Sequence, residues 1–314
     1  MTLGEFLSRH FSGPEHSAFR DSITRFVEGY NAADLSKVSA LAIREEWSQD
    51  DEPEQRRPAG GYGQLMEHLL AQVLQQGVTV HLSSIVSHIQ WQPGKVVIET
   101  TDGNSYSAQK VLITVPIGVL QHERITFTPA IPAYLEAAKN IGFGSVIKFL
   151  LEFKTPFWEN LVARPVHNMG FMLSDATIPT WWTQLPDTTP LLTGWLGGPS
   201  AAQLHTGAEQ MLNEALRSLS YIFDCSVDLL RQQLRHWYIS DWKNDPFACG
   251  AYSYATIETP RAREILNTPV ADTIYFSGEA VYDGPHTGTV EAALVSGREA
   301  AIKMLHAYSE DVEN

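Results

Sequence analysis

Residues 275–301 read YFSGEAVYDGPHTGTVEAALVSGREAA, and this stretch decides the fold class. Ile274-Tyr275-Phe276, within DTIYFSGEA (272–280), is a short apolar strand that runs into Gly278-Glu279. After a loop of glycine and proline, apolar residues at helical spacing start near Gly288-Thr289-Val290 and continue to Tyr308. Strand, glycine turn and helix make an α/β unit. Its turn offers free backbone N–H groups and the positive end of a helix to an electron-rich ligand. The glycines let a large planar or phosphorylated group approach the chain. Taken alone, the pattern is equally a plain α/β turn.

Outward from that unit, residues 60–120 have the same mixed character. Gly60-Gly61 precedes a predicted helix with Leu65, Leu69, Leu70 and Val73 on one side. VTVHL (78–82), IVSHIQW (85–91) and KVVIET (95–100) read as strands, and Thr101-Asp102-Gly103-Asn104 as a tight turn. An apolar strand, Val111 to Val115, is stopped by Pro116. From residue 125 to about 265 the pattern changes: a long strand candidate at 143–153, several aromatic-rich segments, and a predicted helix over about 203–219. Residues 1–30 and 31–44 read as helices, the second with a possible cap at Asp34. EEWSQDDEPEQRRPAG then forms a charged connector, with a first boundary near residue 59. The fold class is α/β (α+β mixed), with a β-meander inserted in its α/β part. No solenoid-type repeat is visible.

Composition narrows the chemistry. The chain has 314 residues, 44% hydrophobic and 18% charged, which is globular composition with room for one or two domains. Thirty-six acidic residues against 22 basic give a net charge of −14, which argues against nucleic-acid binding. Two cysteines supply neither a disulfide framework nor a metal cage, the start lacks a secretion signal, and no apolar run is long enough for a membrane span. A cytoplasmic protein is expected. The eleven histidines lack HExxH or any ligand spacing, so no metal is expected. GxSxG, GxxxxGK[ST] and GxGxxG are all absent.

Four segments together resemble the flavin-containing amine oxidases, a family of polyamine oxidases, monoamine oxidases and histone demethylases. They are GGYGQLMEHL (60–69), VLITVPIGVL (111–120), DWKNDPFACGAYSYA (241–255) and YFSGEAVYDGPHTGTVEAALVSGREAA (275–301). YNAADLSKVSAL (30–41), GFGSVIKFLLEFKTPFW (142–158) and LLTGWLGG (191–198) add weaker support. The resemblance implies two interleaved domains and FAD as cofactor. Residues 60–124 and 268–308 would belong to the FAD-binding domain, 1–59 and 125–267 to the substrate domain, and 309–314 to a tail. Val86 matches a backbone contact to the adenine end. Glu279 matches the acidic residue at the ribityl and pyrophosphate region, and Gly278, Gly288, Thr289, Val290 and Pro116 are implied cofactor contacts. Lys148 matches the lysine that holds a water against flavin N5. Trp242 and Tyr252 match aromatics near the flavin, assigned to both cofactor binding and catalysis, with Tyr254 as a less certain companion. Without the resemblance, Lys148 reads as a snorkelling lysine, and the aromatics as ordinary packing.

Two departures accompany the match. Where the family usually has a tyrosine wall of an aromatic cage, this sequence has His286, in a loop about one residue longer, with Tyr282 as an available substitute. The typical polyamine or monoamine substrate is therefore not implied; a small amine or amino-acid-like substrate is, with O2 or another electron acceptor. The family's N-terminal βαβ unit with GxGxxG also has no counterpart here. A second polypeptide carrying that unit is the expected partner. A shortened or remnant chain, and a rearranged fold without flavin, are the competing explanations. The functional alternatives are a non-catalytic scaffold subunit and a flavin-dependent oxidase or desaturase of another substrate.

Overall fold

The computed structural model describes residues 1–48, 58, 60–161, 166–284 and 287–312. The chain opens with helices α1 (Leu3–His10), α2 (Ser17–Tyr30) and α3 (Ala40–Trp47). A reciprocal capping box of Thr2 and Glu5 starts α1, and the Ser39 side chain caps α3. The predicted cap at Asp34 is not a cap: Asp34 Oδ1 instead accepts from Ser36 N and Oγ at 2.8 and 2.6 Å. This Asx-type turn competes with helix, so residues 31–39 stay irregular. Leu3, Leu7, Val27, Val38 and Ile43 form a small core with Tyr254.

Helix α4 (Gly63–Gln75) follows, and none of its residues is buried. Leu65, Met66, Leu70, Val73 and Leu74 are all exposed. The predicted strand at 78–82 does not form. Its alternating Val78, Val80 and Leu82 are exposed, because no strand among the described residues pairs with them.

Strands β1 (Val86–Gln92), β2 (Lys95–Thr100) and β3 (Ser105–Ala108) form the expected meander. Asp102 Oδ1 accepts from the Thr100 hydroxyl and the Asn104 N–H, fixing the predicted turn. Strand β4 (Val111–Ile113) leaves this sheet and leads into α5 (Ile117–Gln121), while β5 (Thr126–Thr128) returns to lie parallel to β1. Helix α6 (Pro132–Lys139) and strand β6 (Gly142–Phe143) complete the segment. The 143–153 strand candidate is broken at Gly144-Ser145, and β7 (Val146–Phe153) is its long part. A side chain on Gly144 would collide with Ala32, so close approach of the α2–α3 loop demands glycine here.

Around β7 grows a five-stranded sheet with β8 (Phe171–Leu173), β9 (Thr180–Trp182), β10 (Leu191–Gly197) and, after helices α7 (Gly198–Gln203), α8 (Ala208–Phe223) and α9 (Val227–Gln233), β11 (Leu234–Asp241). Its order is β11-β7-β10-β9-β8. Alternation sorts the faces: Ile147, Phe149, Leu151 and Phe153 pack on Met211, Leu212, Leu216 and Leu219 of α8, and Lys148, Leu150 and Glu152 point the other way.

The remainder closes back on the meander. Strand β12 (Ser253–Tyr254) pairs with β6, and α10 (Thr259–Leu266) packs on α6. Strand β13 (Ile274–Phe276) lies parallel to β4, and α11 (Val290–Val312) follows. Ile113, Ile117, Leu120, Leu266, Ile274 and Phe276 share one core with Ile89, Val96 and Phe127. Val111–Val115 and Ile274–Phe276 are thus each other's neighbours in a two-stranded parallel sheet, each with a second edge free among the described residues. Parallel strands normally lie buried inside larger sheets.

The contrast between α8 and α4 is testable. Leu216→Ala empties a fully buried site and lowers unfolding free energy by about 2–5 kcal/mol. Leu70→Ala, on exposed α4, changes it by less than ~0.5 kcal/mol in the isolated chain. Urea titration of both variants measures the difference.

Candidate functional site

The ends of β4 and β13 open into a small cleft lined by Ile113, Val115, Ile117, Phe276, Gly278 and Glu279. It lies at the carboxyl ends of parallel strands, where open α/β sheets bind ligands. Gly278 adopts φ 147°, outside the range of side-chain-bearing residues, and a Cβ there would meet nothing within 4 Å. Its backbone is therefore bare on that side. The Ser296 hydroxyl of α11 accepts the Gly278 N–H at 3.1 Å and contacts the Ser277 hydroxyl at 3.2 Å, locking the turn to the helix.

Glu279 is the charged group of this cleft. Its carboxylate accepts from Ser253 N at 3.2 Å and from Ser253 Oγ at 2.6 Å. Burial pushes the carboxyl above its usual range. The Ser253 hydrogen bonds, the Arg263 charge and the Gly288 N–H oppose that push.

Tyr252 and Ser253 join this cleft to the open face of the five-stranded sheet. Beyond Ser253, which turns to Glu279, Tyr254 enters the N-terminal core. The Tyr252 ring stacks on Trp195 with centroids 6.5 Å apart and 26° between planes. Its hydroxyl donates to the Tyr30 carbonyl at 2.5 Å, and burial pushes the phenol far above its usual range, with Tyr30 and Glu46 adding to the effect. Gly288, at φ 77°, passes so close that a Cβ would stand 3.5 Å from the Tyr252 ring.

Register places Lys148 beside that ring pair. Leu173, Thr180, Trp195, Lys148 and Ser240 form one cross-strand row, and Phe171, Trp182, Thr193, Leu150 and Tyr238 form the next on the same face. Lys148 is half-buried and makes no hydrogen bond or ion pair among the described residues. Trp182 continues the aromatic chain at 6.1 Å from Trp195, and Trp195 Nε1 donates to the Gly29 carbonyl at 2.9 Å. Across from Tyr252, Asn31 Nδ2 donates to both oxygens of Glu46 at 3.0 and 2.9 Å, and burial pushes the Glu46 carboxyl up.

The structure thus gathers Gly278, Glu279, Gly288 and Tyr252, and brings Lys148 to them through Trp195. Thr289 caps α11 by accepting the Ala292 N–H at 3.1 Å, and Val290, the first residue of that helix, is exposed. Pro116 precedes α5 at the rim, between the lining residues Val115 and Ile117. Val86 begins β1 in the meander and is not among the cleft's lining residues. Trp242 follows β11 with its ring exposed, outside the Trp182–Trp195–Tyr252 chain. His286 lies outside the described residues. No group of three or more His, Cys, Asp or Glu suited to a metal exists among the described residues, and no helix among them is long and apolar enough to cross a membrane. Both cysteines are free.

Sequence reasoning missed Ser253 and Trp195. Both stood in quoted motifs, AYSYA and LLTGWLGG. The alternation of Tyr-Ser-Tyr was the available signal for a serine facing away from its aromatic neighbours.

These features fit FAD. Bare backbone at Gly278, a buried carboxylate and a helix start suit a long polyhydroxylated, phosphorylated ligand, and an aromatic wall suits a planar ring.

A sequence profile described as flavin containing amine oxidoreductase matches residues 2–305. Lysine-specific histone demethylase 1 homolog 3 of Arabidopsis thaliana is 29% identical over 263 residues, covering 78% of this chain and 15% of the relative. Histone demethylase-like protein A of Aspergillus fumigatus is 28% identical, covering 91% of this chain and 28% of its own. Polyamine oxidase 4 of Oryza sativa subsp. japonica is 28% identical, covering 88% and 54%. The chain therefore spans from about a seventh to about half of these relatives' lengths. Among solved structures, a putrescine oxidase redesigned in its cofactor binding superposes with TM-score 0.76 at 20% identity, covering 98% of this chain and 68% of that one. The mixed α/β architecture is the amine-oxidase fold, and this chain belongs to the flavin-containing amine oxidoreductase family.

Proposed function

We propose that the chain is the part of an FAD-dependent amine oxidase that carries the substrate face and the Glu279 end of the cofactor site. The observation that carries this is the Tyr252-Ser253 link, which sets a buried carboxylate and a half-buried, unpaired lysine on one continuous wall. Bound FAD would supply the hydride acceptor for oxidation at the C–H beside a neutral amine, with O2 or another acceptor taking up the electrons afterwards. Glu279, Gly278, Gly288, Thr289 and Val290 would hold the cofactor, with Val86 and Pro116 as outer contacts. Tyr252, Trp195 and Trp182 form a dry wall that orients a small amine or amino-acid-like substrate, with Trp242 at its margin, and His286 keeps the substrate role that the resemblance implies. Lys148 holds a water at the reacting face and stabilises negative charge there.

A second polypeptide carrying a GxGxxG βαβ unit completes the site in this reading. The exposed apolar side of α4, the unpaired residues 78–82 and the two-stranded parallel sheet support it, because each is a surface that strands and helices of such a unit would cover. The division into segments 1–59, 60–124, 125–267 and 268–308, and a cytoplasmic location, belong to the same proposal. The test is an absorption spectrum with native mass, for the chain alone and co-expressed with such a unit. Flavin bands at roughly 370 and 450 nm in a larger complex are expected. Neither flavin nor a partner in both preparations would sink the reading.

In the flavin-loaded complex, Lys148→Met is expected to keep the flavin bands and lower kcat by on the order of 10²-fold. Stopped-flow flavin reduction and reoxidation measure it, and unchanged rates would remove Lys148 from the chemistry.

Glu279→Gln separates stability from binding. The Glu279 carboxyl lies above its ordinary 4.5, so its contribution to stability is full below that pH and is lost as pH rises through the raised value. The variant's unfolding free energy without cofactor should therefore gain on the wild type as pH rises from about 4 to 7, while its flavin retention falls. Urea unfolding across that range, paired with dialysis against FAD, reads both.

A further inference from the structure

Arg263 on α10 is a buried charge for which the cofactor contacts implied by the family resemblance provide no role. Only 7% of it is exposed, and its Nε donates to the Ala280 carbonyl at 3.0 Å. Its Nη2 is buried with no hydrogen-bond partner among the described residues. One turn along the helix, Asn267 Nδ2 donates to the Val281 carbonyl at 2.9 Å. A side chain of α10 and that of its C-cap residue therefore grip consecutive carbonyls of the turn that begins with Gly278-Glu279. An amide such as Asn267 suffices for gripping. Arg263 brings in addition a full positive charge and an N–H left open, a costly combination where burial is this deep.

The charges around it say what that charge faces. Glu279 and Asp283 are the carboxylates whose fields favour the charged guanidinium, against burial that disfavours it. Around Glu279, β12 contributes Ser253, the approach to α11 contributes the Gly288 N–H, and α10 contributes Arg263 as the cation. Asp283 is exposed and acts on Arg263 from the turn itself. A carboxylate in a buried cleft holds its charge only when such donors and a counter-charge surround it.

We propose that Arg263 is a positioning residue for the flavin, fixing the 278–281 turn from beneath and supplying the counter-charge that keeps Glu279 an anion for the cofactor's hydroxyl groups. This rests on the flavin reading of the cleft. Arg263 touches neither cofactor nor substrate, and it works through Glu279.

The test pairs two readouts on the complete complex. The first is a 13C NMR titration of the Glu279 carboxyl without cofactor, assigned with E279Q. The second is the Kd for FAD at neutral pH from flavin fluorescence. Arg263→Met is expected to raise the Glu279 midpoint by about one pH unit and weaken FAD by roughly tenfold, whereas Arg263→Lys keeps both near wild type. Arg263→Met added to E279Q is expected to cost little more than E279Q alone, because the partner charge has gone. A merely structural clamp gives losses that add, and an unmoved midpoint. Either result overturns the proposal, as does Arg263→Lys failing as badly as Arg263→Met. Arg263→Gln, polar and of similar length, carries the same comparison if the methionine variant does not fold. Wild-type protein that takes up no FAD overturns the flavin reading itself, and unaltered FAD affinity in Arg263→Met overturns the role of Arg263 alone.

Discussion

The hydrogen bonds from Ser253 to Glu279 hold together two parts of the chain that belong to different cores. Ser253 sits on a two-residue strand anchored to Phe143, and Glu279 sits past the end of a strand paired with residues 111–113. At 2.6 and 3.2 Å the contacts are charge-assisted and shielded from water, so they lose little to screening. Because Tyr252 adjoins Ser253, the same contact fixes where the Tyr252 ring meets Trp195 and, through the sheet register, where Lys148 stands. The Gly278 cleft and the open face of the five-stranded sheet are in this sense one object.

Much of this was legible in the sequence because it rests on local signals. Alternation in VIKFLLEF put Lys148 on the face opposite Phe149 and Leu151, and the Thr-Asp-Gly-Asn turn produced the expected hairpin. The strand–glycine–helix unit at 274–290 also formed as read. What failed depended on neighbours. Residues 78–82 have the composition of a strand, but a strand exists only beside another, and none among the described residues pairs with them. Asp34 has the chemistry of a cap, yet a nearer partner, Ser36, claimed its oxygen. Arg263 lies in PRARE, where spacing gives no sign of burial, and only the tertiary fold turns its guanidinium inward.

The aromatic wall and the acidic end divide the site by dielectric character. Trp182, Trp195 and Tyr252 supply apolar faces, and two of them have their polar atoms already engaged, Trp195 by Gly29 and Tyr252 by Tyr30. A neutral amine loses little on entering such a place, whereas an ammonium loses its hydration. Glu46, tied to Asn31 across from Tyr252, gives the outer part of the wall a negative pole. The two ends of the site thus differ in what they can solvate: the aromatic wall favours neutral groups, the Glu46 side cationic ones.

The parallel pair of β4 and β13 also sets the order in which the protein can become functional. Lys110 and Asp272, joined at 2.7 Å at the foot of that pair, stand 162 residues apart in sequence. Closing so long a loop is entropically late, and contacts of such separation form slowly. During synthesis the meander, the five-stranded sheet and the α8 core can all assemble while residues 274–281 are still within the ribosome. The Gly278 side of the cleft, locked by Ser296 of α11, is consequently among the late features to form. A chain interrupted before residue 274 would hold the five-stranded sheet and its α8 core, but only the β4 half of the cleft.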